Sequence, residues 1–261
     1  MLVFPQLSSG AVSQLPLGRE TLYRTLVNAA LDGREIRVAD PDYFERNWEL
    51  PLELLTDIEW QAIQDLFTTA EGRLRSFLFL EPGENLLAWS EGFGEAAWVK
   101  SGVTVTGGVG DPWGGGEGSQ LSGAGTLSQT LATPAWFRYA ASIWARTTQA
   151  GSGLELRDGG SQVKSVAFTA DGAWRRYLLS LAWVTTSETV TFRVVSGGAA
   201  TLDLYGAQLE AQPLVSNYKK TLARGGVHSG ARFATDTLSD RATGPGEHSS
   251  VIRVSWTPSQ T

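Results

Sequence analysis

The chain has 261 residues, of which 42% are hydrophobic and 18% charged; its net charge is −6, and it holds no cysteine and two histidines. Disulfides, zinc–thiolate centres and cysteine nucleophiles are thereby excluded, and no segment has the basic excess that a nucleic-acid partner requires. Thirty glycines and ten tryptophans point to short apolar runs joined by tight turns, which is a β-rich architecture.

Charge is unevenly spread: residues 1–84 sum to −7, residues 85–221 to zero and residues 222–261 to +1. The opening MLVFPQLSSG has no basic stretch followed by an apolar core, and no run approaches the roughly 18 apolar residues of a membrane span, so neither a secretory leader nor membrane insertion is expected. His228 and His248 both fall in the polar tail, which makes a histidine metal site an unpromising reading.

The first seventeen residues, broken by Pro5, Gly10 and Pro16, read as an extended arm. Residues 20–54 read as antiparallel β. In WELPLEL the residues Trp48, Leu50, Leu52 and Leu54 fall on one face with a period of two. Pro51 cannot donate to a ladder, so this strand is expected at an edge or with its missing donor turned outward. Thr56 and Glu59 have the spacing of a capping box, and Asp57 and Glu59 sit where the helix dipole favours anions. A helix follows, with a stripe of Ile58, Ala62, Ile63, Leu66 and Phe67 and with Gly72 as its C-terminal cap. Capping accounts for both acids, so they are not read as a catalytic pair. Phe77 to Leu80 reads as a strand.

From Asn85 the texture changes. Strand-sized runs at 98–106, 127–131, 137–146, 153–157, 162–169, 174–183, 189–195 and 201–209 alternate with glycine-rich connectors, the most obvious being GGVGDPWGGGEG. That spacing predicts an antiparallel β-sandwich of the jelly-roll type. The GGVGDPWGGGEG run lacks the Lys-Ser/Thr ending of a phosphate loop and reads as a flexible connector. The tail holds strand-like runs at 231–235 and 250–256. It needs a sheet to join, and residues 1–84 supply one. The organisation expected is a discontinuous domain of residues 1–84 with 222–261, and an inserted domain of residues 85–221.

The runs NLLAWSEGF, AAWVKSGVTV, RYAASIWAR and GAWRRYLLSLAWV, closing on LDLYGAQLEAQPLVSNYKKT, resemble the carbohydrate-binding-like jelly-roll module of many phage tail and prophage structural proteins. The outer segments, with DGRE, IRV, WELPLELLTDIEWQAI and EGRLRSFLFLEP, resemble a phage tail-tip domain of the distal-tail or minor-tail type. That resemblance implies a mainly β assembly domain with one helix, a homo-oligomeric ring that is often hexameric, neighbours in the tail tube and hub, and a place in the virion tail. It also implies a jelly-roll appendage in contact with host surface glycans.

Glycan binding needs aromatic rings to stack on pyranose faces and planar polar groups to fork onto hydroxyls. Trp136, Arg138, Trp144 and Arg146 alternate onto one face of a strand, and Trp113 lies in a glycine-rich loop; these five are the predicted carbohydrate-binding residues. The competing reading has the same tryptophans packed against neighbouring loops. Asp111, Asp158, Asp171 and Asp203 supply the oxygen chemistry of a structural calcium site, although turns explain Asp158 and Asp171 equally well. There is no Ser-His-Asp order and no nucleophile elbow, and no carboxylate pair is singled out, so no catalytic residue and no other cofactor is expected. A free secreted carbohydrate-binding protein is the alternative to the tail component.

Overall fold

The structure, a computed structural model, describes residues 1–258, excepting the side chains at positions 41, 42, 199, 200 and 243. The chain is mainly β and divides into two compact units, residues 1–8, 12–79 and 228–261 forming the first and residues 9–11 with 80–227 the second.

The first unit is a six-stranded sheet with one helix. Its strands are β1 (Gly18–Ala29), β2 (Glu35–Thr56), β3 (Phe77–Leu80), β12 (Val227–Phe233), β13 (Arg241–Gly244) and β14 (Glu247–Trp256), in the order β1-β2-β14-β12-β3, with β13 on β14. Ile252 and Val254 of β14 are buried, as their alternation requires. The predicted phase of β2 holds through Trp48, Leu50 and Leu52 and then breaks. The register slips between Leu52 and Leu55 opposite Ser250 and His248, and Leu54 takes a left-handed φ of 54°. This bulge inserts one residue, so Leu54 is exposed and Leu55 takes the buried place. Pro51 is paired with Val251 of β14 on one side, while the β1 pairing stops at Glu49.

Helix α1 (Asp57–Ala70) opens with the capping box as predicted, the Thr56 hydroxyl accepting from the Glu59 amide and the Glu59 carboxylate accepting from the Thr56 amide. Its buried stripe is Trp60, Ile63, Leu66 and Ala70, each large member contributing about 1.5–3 kcal/mol. Ile58, expected in the stripe, is exposed, because the face turns on Trp60 and Ile58 lies on the opposite side of the first turn. The left-handed C-terminal residue is Glu71, with Gly72 left-handed after it. Phe67 of the helix meets Phe233 of β12 at 5.0 Å.

Beyond Arg46, β1 and β2 leave the sheet as a two-stranded ribbon, since β14 pairs with β2 over residues 46–56. Tyr23, Leu26, Val27, Leu31, Ile36 and Val38 of this hairpin are all exposed.

The second unit is built from β4 (Val99–Ser101), β5 (Thr104–Val109), β6 (Gly118–Leu131), β7 (Tyr139–Thr147), β8 (Gly153–Asp158), β9 (Val163–Ala167), β10 (Arg175–Leu181) and β11 (Val190–Glu210), all antiparallel. β6 and β11 are long and run together through both layers of a sandwich. The N-terminal half of β11 pairs with β8, and its C-terminal half pairs with β7. Leu127, Leu154, Phe192 and Val194 of one layer and Leu121, Ile143, Leu179 and Leu204 of the other are buried. Phe168 after β9 meets Tyr177 of β10 at 4.6 Å. This is the predicted jelly-roll-like β-sandwich. Two runs expected as separate strands, 189–195 and 201–209, are one strand with a register shift between Gly198 and Leu202. The residues 118–126, read as connector, are the first half of β6. Its glycines serve close approach: a Cβ on Gly125 would collide with the Ser101 carbonyl oxygen.

Candidate functional site

One face of the sandwich carries rings and planar polar groups in adjacent rows. Cross-strand register sets the rows: Tyr205 of β11 is opposite Trp144 of β7, which is opposite Arg176 of β10. The next row pairs Gln120 of β6 with Asp203 of β11 and Asp203 with Arg146 of β7. Two residues along a strand separate the rows, about 7 Å, a spacing that suits one pyranose ring.

The rings form a connected group. Trp113 meets Trp144 at 5.2 Å and Tyr205 at 5.1 Å, Trp144 meets Tyr218 at 5.4 Å, and Tyr205 meets Tyr218 at 5.7 Å. The first three are edge-to-face, a favoured geometry for aromatic pairs, and the last is tilted. Gly206, left-handed at φ 61°, makes the bulge that follows Tyr205. A Cβ there would stand 3.1 Å from both Trp144 and Tyr218.

Trp113 is the outermost ring, 65% exposed. Its loop, expected to be flexible, is organised by Asp111. That carboxylate accepts from the amides of Trp113 (2.8 Å), Gly115 (3.1 Å) and Glu117 (3.3 Å). Burial works against its charge, but these amides outweigh burial and hold the carboxyl below its ordinary range.

In the polar row, Arg146 donates through Nε and Nη2 to Asp203 Oδ2 at 2.9 and 2.7 Å, and Gln120 donates to Asp203 Oδ1 at 3.1 Å. The Arg146 guanidinium lies 5.0 Å from the Trp174 ring centroid. At the rim of the ring group, Glu91 accepts from the Tyr218 hydroxyl at 3.0 Å and pairs with Lys220. Burial first, and then the Glu91 carboxylate, push the Tyr205 and Tyr218 hydroxyls above the ordinary tyrosine range.

The recognisable motifs at both ends of this unit build its scaffold. Asn85, fully buried, donates to the carbonyls of Ala207 and Lys219 and accepts from the amides of Leu87 and Leu209. Glu210, also fully buried, accepts from the Gln208 side chain, the Ser216 amide and hydroxyl, and Lys219 Nζ. These bonds fold residues 211–221 back, and the segment delivers Tyr218 to the ring group.

The five predicted residues therefore divide. Trp113, Trp144 and Arg146 share the face. Ala140 and Ser142, which lie on the same side of β7, are buried, with Arg176 donating to Ser142 Oγ and to the Ser216 carbonyl over them. Arg138 and Trp136 precede β7, which begins at Tyr139, with Trp136 in a turn, and both lie beyond that covered stretch. Tyr205, Tyr218, Gln120 and Arg176 were not singled out by the sequence; the signal for Tyr205 was its alternation with Asp203 just before Gly206.

The four aspartates weighed for calcium are spent separately: Asp111 on its loop, Asp158 on the Gly160 and Gln162 amides and the Thr185 hydroxyl, Asp171 on Arg175, and Asp203 on Arg146. Among the described residues no group of three or more metal-ligating side chains is assembled. A cleft in the first unit, of about 930 Å³, is lined by Arg19, Arg73, Arg232 and Arg253 with Glu20, Glu45 and Glu49. Arg253 is paired with Glu49 and Arg73 with Asp236, so opposite charges meet there within the chain.

No protein-family model and no curated protein matches the chain. Among solved structures, the enzymatically active domain of tailspike protein 4 of bacteriophage CBA120 is similar at 16% identity and a TM-score of 0.41, over 48% of this chain and 21% of that one; the match spans about a fifth of the tailspike chain. A xylan-binding domain from Paenibacillus barcinonensis is similar at 17% identity and a TM-score of 0.39, over 51% of this chain and 97% of that one. A family 11 carbohydrate-binding module from Clostridium thermocellum, solved with a mixed-linked β-1,3-1,4 tetrasaccharide, is similar at 12% identity and a TM-score of 0.35, over 51% and 98%.

Proposed function

We propose that the protein is a non-catalytic structural component of a phage or phage-derived tail tip or baseplate, whose second unit binds surface glycans through the Trp113 platform. The observation that carries the glycan reading is the ring group of Trp113, Tyr205 and Trp144 beside the row of Gln120, Asp203 and Arg146. A sugar stacks its apolar face on the exposed indole and turns its hydroxyls to groups that both donate and accept.

The assembly role is supported by the sequence resemblance of the outer segments and by the β1–β2 hairpin. A two-stranded ribbon is marginal in water by itself, and this one exposes Tyr23, Leu26, Val27, Leu31, Ile36 and Val38. Burial of these side chains between copies of the chain is the role we assign to it, with a ring, the tail tube and the hub as its setting in the virion. Light scattering on the full chain tests the assembly half: an oligomer that dissociates on Leu26→Asp with Ile36→Asp supports it. A monomer at all concentrations favours the free carbohydrate-binding protein instead. Titration with an oligosaccharide panel, wild type against Trp113→Ala, tests the glycan half.

A further inference from the structure

We infer that the Trp113 platform selects neutral glycans and rejects anionic ones, a selection that rests on the glycan-binding reading above. A uronate, sialate or phosphorylated sugar is held by a cation with open donors, most effectively a guanidinium fork. Among the described residues, the three cations that border the rings are already engaged. Arg146 gives Nε and Nη2 to Asp203. Arg176 stacks on Trp144 at 4.4 Å and donates to Ser142 and to the Ser216 carbonyl. Lys220 pairs with Glu91.

Turning Arg146 toward a ligand carboxylate would strand Asp203, whose side chain is only 12% exposed. Leaving a buried charge without its partner is strongly unfavourable. The acids on the same side add repulsion. Glu91 takes the Tyr218 hydroxyl, and Glu91, Asp111 and Glu117 all act on the Tyr205 hydroxyl in the direction that disfavours a further negative charge. A neutral sugar meets none of this. The remaining Arg146 donors, the Gln120 carbonyl oxygen and the Asp203 lone pairs offer donors and acceptors without net charge.

Matched oligosaccharide pairs that differ only in charge provide the test: glucan oligomers with their C6-oxidised uronates, and oligogalacturonates with their methyl esters. The full chain is titrated by calorimetry at low and high sodium chloride. The expected result is binding of neutral members at least tenfold tighter than their acids, with little dependence on salt. Glu117→Arg, at an exposed position, should narrow that ratio. Equal affinity within pairs, or preference for the acid with affinity that falls as salt rises, overturns the selection while leaving the platform standing. Failure of every member of the panel to bind overturns both.

Discussion

The guanidinium of Arg176 lies over the indole of Trp144, 4.4 Å from its centroid, so that ring is already covered by a cation on one face. Trp113 and Tyr218 pack against Trp144 edge to face. In the proposed platform Trp144 is thus the support and Trp113 the contact. Trp144→Ala should cost about 2–3 kcal/mol, less than the roughly 3–5 kcal/mol of a fully buried aromatic truncation. Trp113→Ala should leave the melting temperature near wild type. Thermal denaturation of the two variants checks the ordering, and a larger loss for Trp113→Ala would reverse the assignment.

Gly206 holds a backbone position that other residues occupy only with strain of about 1–2 kcal/mol, and an added methyl would press on Trp144 and Tyr218. Gly206→Ala should lower stability by at least that strain and alter the near-ultraviolet circular dichroism of the coupled rings. A spectrum identical to wild type would show that the rings do not depend on this bulge.

Asp111 fixes the loop that carries Trp113. Losing its three amide partners costs about 1–3 kcal/mol, and it frees the loop from Asp111 to Glu117. Asp111→Ala should therefore expose residues 112–117 to faster amide exchange, with strands β6 and β11 protected as before. Unchanged exchange in the loop would remove Asp111 from its organising role.

Two groups in the first unit make its stability depend on pH in opposite senses. His248 sits between Asp57 and Asp240, at 2.9 and 2.8 Å, and the hydrogen bond to Asp57, then that to Asp240, raise its pKa. A raised folded-state value stabilises the fold below the unfolded value of about 6.5, and that contribution disappears as pH climbs through the folded value. The melting-temperature gap between wild type and His248→Gln should be widest near pH 5 and close as pH climbs through the raised folded-state value; a gap constant with pH would contradict this. Burial opposes the Glu59 charge, but hydrogen bonds from Thr56 and Ser8 outweigh it and bring the carboxyl to about 2. Its contribution is complete above about pH 4.3 and is lost as pH falls toward 2. Glu59→Gln should therefore cost most at neutral pH and little at pH 2.

Local patterns in the sequence were legible where a local rule decides the outcome. Thr56 and Glu59 cap α1, and Ile252 and Val254 of β14 alternate into the core. The phase of β2 failed at Leu54 because a bulge is invisible to alternation. The first half of β6, which pairs with β5, was hidden because its Gly-Ser composition answers to the close approach of the Ser101–Val103 turn, which composition alone does not reveal. The site was half legible for the same reason. Alternation put Trp136, Arg138, Trp144 and Arg146 on one side of a single expected strand, but β7 begins only at Tyr139 and leaves Trp136 and Arg138 ahead of it. The covering of Ala140 and Ser142, beneath a segment that Glu210 and Asn85 fold back, separates them further from Trp144 and Arg146. Tyr205 and Tyr218 enter the ring group through pairing and that fold-back, neither of which a single strand pattern contains.

The central claim is that Trp113 is the glycan contact, and tryptophan fluorescence during titration of the full chain with neutral oligosaccharides tests it most directly. The account predicts a saturable change for at least one glycan in wild type and an affinity at least roughly tenfold weaker, about 1.4 kcal/mol, in Trp113→Ala, with Trp136→Ala binding like wild type. Equal affinity in wild type and Trp113→Ala, or the absence of saturable binding to any glycan, would contradict it.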